Sequence, residues 1–156
     1  AYFSEKFLEI TVPVTTKEQI KEIKKTVTHI AKKHDEEPYK ALATTQQAIF
    51  HQLEEQDEID AAAIFDKVFE EKPLAREAAQ LAITEERVPE KIAVTNVPKY
   101  ERKYSKQKFK LDNGIEITIP SEIYENKEMV EFINNPDGSV SVLIKNIESI
   151  LNKFNA

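Results

Sequence analysis

The chain has 156 residues, no cysteine, and 22 Lys and Arg against 28 Asp and Glu, a formal net charge of −6. That length suits one domain burying roughly two-thirds of its unfolded surface without staples. The missing cysteines exclude disulfides, thiolate zinc sites and cysteine nucleophiles, and they fit a reducing intracellular compartment. The net charge has the wrong sign for a stand-alone nucleic-acid binder, and no apolar run approaches the ~20 residues of a membrane-spanning helix. The expectation is a soluble α+β domain with no catalytic centre.

The chain opens on Ala1-Tyr2-Phe3 without a methionine, which predicts a fragment of a longer chain. Residues 2–12 (Tyr2, Phe3, Phe7, Leu8, Ile10, Val12) are apolar enough to pack, and Pro13 ends the segment. Thr16 and Gln19 have capping-box spacing. A helix is expected from there to about Lys33, with Ile20, Ile23, Val27 and Ile30 on one stripe. Pro38 suits the first turn of a second helix to about Gln56, with Leu42, Ile49 and Leu53 as its seam. A third, about Ile59–Glu70, turns Ile64, Phe65, Val68 and Phe69 inward. Pro73 opens a fourth that buries Leu74, Ala78, Leu81 and Ala82. These elements predict a bundle of about four helices over about 14–86. Pro89, Asn96 and Pro98 then place a connection at 87–98.

A small antiparallel sheet is expected over 99–145. Around Asp112-Asn113-Gly114, a two-residue Asn-Gly turn would pair Lys110 with Ile117 and mix the faces. A three-residue loop with Gly114 left-handed pairs Phe109 with Ile117 and Leu111 with Ile115, and sets Lys110 opposite Glu116. The same loop in Asn135-Pro136-Asp137-Gly138 pairs Phe132 with Val142 and Val130 with Ile144. Two such hairpins predict a four-stranded sheet with Ile133 and Leu143 on its outer face. Ile147, Ile150, Leu151 and Phe154 then suggest a short C-terminal helix over 146–154. All of this is expected to form a single α+β domain over 1–156.

The run Lys108-Phe109-Lys110-Leu111-Asp112-Asn113-Gly114-Ile115-Glu116-Ile117 resembles a segment of the bacterial NdpA/YejK-like nucleoid-associated proteins. So does Glu131-Phe132-Ile133-Asn134-Asn135-Pro136-Asp137-Gly138-Ser139-Val140-Ser141-Val142. The resemblance is closest over about 106–147, and the helical region matches in pattern. It implies the C-terminal half of a cytoplasmic, nucleoid-located, DNA-binding protein that is not an enzyme. It supplies no functional residue to carry over.

Local chemical signatures are missing. His29 and His34 are five apart and diverge on a helix; His51 has Glu54 and Glu55 one turn on, but no His-Glu-x-x-His or Glu-x-x-His pair completes a metal site. The acidic run Glu54–Asp60 lacks the alternating ligands and glycine of a calcium loop. It reads instead as a helix end followed by an acidic helix start. Both glycines, Gly114 and Gly138, fall in hairpin loops, so no phosphate loop, dinucleotide fingerprint or nucleophile elbow can form. Neither a cofactor nor a small-molecule substrate is expected.

One constellation suggests a partner. Lys106, Lys108 and Lys110 alternate and share one strand face, with Tyr104 on the same parity and Lys99, Arg102 and Lys103 extending the positive run upstream. Such a ridge could track DNA phosphates, with Tyr100 or Tyr104 stacking on a base or sugar. The same lysines would equally guard an exposed strand against aggregation. The lysines of the first helix (Lys17, Lys21, Lys24, Lys25) read as its wet face. The alternative to DNA contact here is an assembly module pairing with its own kind or another protein, DNA being bound by an absent N-terminal half.

Overall fold

The computed structural model describes residues 15–154. The apolar segment 2–12 lies outside them. The chain divides into two compact units, Ala1–Tyr104 and Ser105–Ala156.

In the first unit, helix α1 (Thr16–Lys33) begins one residue earlier than the capping box expected at Thr16 and Gln19. The same pattern one step back wins: Thr15 Oγ1 accepts from the Glu18 N–H at 3.1 Å. Ile20, Ile23, Val27 and Ile30 form the buried stripe, as expected. Helix α2 (Pro38–Glu55) starts on its proline and buries Ala41, Thr45, Ile49 and Leu53. Helix α3 (Ala61–Val68) is shorter than the expected 59–70 because Asp60 caps it, accepting from the Ala63 N–H at 3.2 Å. Its Ile64 and Phe65, with Phe69 just beyond, have no solvent exposure.

Helix α4 (Pro73–Thr84) differs in the face it buries. Ala75, Ala79 and Ala82 line the core, while Leu74 is 72% and Leu81 50% exposed. Alanines let helix axes approach closely, so the small stripe faces the neighbours and the leucines turn away.

Three elements of this unit were not foreseen, two strands and a helix. Strand β1 (Glu58–Asp60) pairs antiparallel with β2 (Lys91–Ala93), Ile59 opposite Ile92. This ribbon lies where a helix start and a connection were expected. Its two isoleucines are buried, and Gln52 clamps it by accepting from the Asp60 N–H at 2.8 Å and donating to the Asp60 carbonyl at 3.2 Å. Helix α5 (Val97–Lys103) occupies the stretch assigned to the end of the connection and the start of the sheet. Asn96 caps it by accepting from the Lys99 N–H, Pro98 sits in its first turn, and Tyr100 anchors it in the core.

The second unit holds two hairpins with the registers expected. Strands β3 (Lys106–Lys110) and β4 (Glu116–Pro120) pair Phe109 with Ile117 and Lys110 with Glu116. The Leu111 N–H donates to the Ile115 carbonyl at 2.8 Å, and Gly114 has φ +95°. Strands β5 (Val130–Asn134) and β6 (Val140–Ile144) pair Phe132 with Val142 and Val130 with Ile144 around Gly138 at φ +90°. A one-turn helix α6 (Ser121–Tyr124) separates them.

The four strands do not make one sheet: among the described residues each hairpin is its own two-stranded ladder. They meet through side chains instead. Phe109 and Phe132 ring centroids lie 5.1 Å apart, and Tyr124 packs on both at 5.8 Å. Nor is 146–154 helical. Asn146 takes φ +58°, its side chain donates to the Glu128 carbonyl at 2.9 Å, and Ile150, Leu151 and Phe154 are more than 80% or about 80% exposed. A nine-residue segment cannot sustain an isolated helix unless its apolar face is buried.

Candidate nucleic-acid interface

Strand alternation sorts the first hairpin into two faces. Gln107, Phe109, Ile117 and Ile119 turn inward, and Gln107 and Ile119 are 2% and 4% exposed. Lys106, Lys108 and Lys110 therefore share the outer face, opposite Pro120, Thr118 and Glu116 respectively, all six exposed. Successive lysines are two strand residues apart, so the ridge is ~14 Å long. Glu116 stands across the ladder from Lys110, at one end of the ridge. Thr118 completes the face, a member the hairpin register could have identified alongside the lysines.

Lys99, Arg102 and Lys103 are brought together separately, on α5. Their i, i+3, i+4 spacing puts them on one exposed helix side while Tyr100 faces the core. The Lys99 ammonium lies 5.4 Å from the Tyr100 ring centre and that of Lys103 5.9 Å from Tyr104, so each stem crosses an aromatic ring. Arg102 and Lys103 also sit in the last turn, where cations complement the dipole. The positive run is thus a helix side in the first unit and a strand face in the second, not one continuous strand.

The tyrosines do not fit the stacking role expected of them. Tyr100 is 8% exposed and belongs to the core; Tyr104 is the α5 C-cap, not a strand residue, and stacks on Tyr100 at 6.2 Å. Burial, and then the neighbouring Tyr100, push the Tyr104 phenol up to about 12. Its backbone carbonyl accepts from Gln46 Nε2 at 3.3 Å. The Tyr100 ring is therefore not presented to a base, and Tyr104 is partly buried against it.

No group of three His, Asp or Glu among the described residues could hold a metal ion, and no helix is long and apolar enough to cross a membrane. His51 pairs with Glu54 at 3.4 Å on the surface of α2.

No curated protein and no solved structure matches the chain. A family model described as nucleoid-associated protein YejK matches residues 1–152, so the likeness takes in the helical unit as well as the two hairpins that first suggested it. The chain belongs to the nucleoid-associated protein YejK family, a non-enzymatic, DNA-binding family of the bacterial nucleoid.

Proposed function

We propose that Lys106, Lys108 and Lys110 on β3, with Lys99, Arg102 and Lys103 on α5, are the residues through which this chain meets DNA phosphates. The observation that carries this reading is the sorting of β3, with every lysine outward and Gln107 and Phe109 inward. Backbone-tracking cations need reach and exposure but no base-reading geometry, and both groups have them. A chain with net charge −6 would then bind through local patches while its remaining surface repels the duplex. The setting is the cytoplasm, at the nucleoid. No cofactor, metal or small-molecule substrate enters this role.

Fluorescence anisotropy with a labelled duplex tests it. Replacing Lys106, Lys108 and Lys110 together by Gln should weaken binding about tenfold or more at low salt, since each lost phosphate contact removes counterion release. The variant K99Q/R102Q/K103Q allots the remaining share to α5. Full affinity in both variants would leave the lysines as guards of an exposed strand.

A second reading rests on Leu143, Ile144, Ile147, Ile150, Leu151 and Phe154, which are 45–83% exposed along β6 and the segment after it. Contiguous apolar exposure marks association surfaces, and here the partner would be a second copy of the chain. Sedimentation velocity across a concentration series should then show a dimer that L151E/F154E dissociates.

A further inference from the structure

Within the helical unit lies a positive concavity that the DNA reading does not use. A groove of about 650 Å³ runs between α1 and the end of α4. Lys25, His29 and Lys33 form one wall; their four-residue steps set them in a line ~12 Å long. Arg87, from the turn after α4, supplies a cation on the opposite side, and no carboxylate lines the groove. The floor is apolar: Ile30 is 5% and Ala82 1% exposed, and Leu81, half exposed, also lines it.

Two of these cations already meet acids that are not among the lining residues. Glu22 is 3.8 Å from Lys25 and Glu85 2.8 Å from Arg87, both pairs at the exposed surface. Such pairs are weak and give way readily to a stronger anion. The groove itself is held in shape. The Lys72 ammonium donates to the His34 carbonyl at 2.9 Å, tying the end of α1 to the start of α4, whose alanine stripe packs into the core.

We propose that this groove binds a phosphate ester of nucleotide size, with Lys25, Lys33 and Arg87 gripping the phosphates and the Ile30–Leu81 floor receiving a flat base. Arg87 can meet a phosphate with two parallel N–H bonds, and the volume falls in the range of small-ligand sites. The exposure of Leu81 follows too, because an apolar lip has a use where a base lies against it. A free nucleotide and an unpaired nucleotide of a DNA strand present the same chemistry, and the test separates them.

Adenosine triphosphate and a single-stranded oligonucleotide are titrated calorimetrically into the whole chain, into K33Q/R87Q, and into K106Q/K108Q/K110Q. Both groove positions are surface residues, and circular dichroism confirms that the variants fold. Triphosphate binding that K33Q/R87Q weakens tenfold or more and the β3 variant leaves intact identifies a free-nucleotide site. Oligonucleotide binding weakened by K33Q/R87Q, with no triphosphate binding, identifies a strand contact. If K33Q/R87Q alters neither ligand, the groove proposal is overturned, whatever the β3 variant does to duplex binding.

Discussion

Gly114 and Gly138 carry the two hairpins at φ +95° and +90°, in space where an added Cβ would meet nothing within 4 Å. The constraint at each is backbone conformation alone, not crowding. Gly114→Ala should therefore cost about 1–2 kcal/mol in urea unfolding, and Gly114→Asn less, since asparagine tolerates positive φ. Equal losses for Ala and Asn would point to a steric cause instead. Charge acts at the same scale: a hydrogen bond from Lys145, 2.8 Å away, and then its charge hold the Glu131 carboxyl below its usual range, and bonds from Ser139 do so for Asp137. A folded-state pKa depressed in this way contributes stability above the unfolded value, near 4, and that stability is lost as pH falls through the folded one. The urea midpoint of E131Q/D137N should consequently fall less between pH 5 and pH 2 than that of the parent. Both loop glycines were legible in the sequence, because only one loop length keeps Phe109 and Ile117 on a common face. The inward face of α4 was not. Size favoured Leu74 and Leu81, whereas close packing selected Ala75 and Ala79.

Among the elements, long periodic segments were readable and short ones were not. α1 and α2, of 18 residues each, announce themselves by stripe and proline. The β1–β2 ribbon has three residues per strand and one inward side chain on each, too little for a period to show. The seven-residue α5 sits in a stretch whose prolines and charges read equally well as connection or strand. The two hairpins were expected to join by a backbone ladder; they join instead through Phe109, Tyr124 and Phe132. Phe132→Ala should accordingly destabilise the second unit by about 2 kcal/mol, less than a fully buried ring because Phe132 is only half-buried. Hydrogen exchange would register it as lost protection in both hairpins. Loss confined to β5 and β6 would show that the aromatic contact does not couple them. The expected C-terminal helix failed for want of a surface to pack on.

For the whole molecule, family membership and local charge have to be reconciled with an acidic total. Lys106, Lys108 and Lys110 were legible as a row on one strand face, but the placement of Lys99, Arg102 and Lys103 on a separate helix was not, because sequence could not tell that Tyr104 ends a helix. Tyr100 consequently belongs to the core with Tyr104 packed against it, and the proposed interface reduces to cations. Binding of that kind is governed by counterion release, and the salt dependence of DNA affinity is its most direct measure. Plotted as log affinity against log salt, the parent chain should give a steep negative slope. K106Q/K108Q/K110Q should flatten it by about 2.7, the sum of roughly 0.9 for each of three phosphates. Parallel slopes for parent and variant would contradict DNA contact through the β3 lysines.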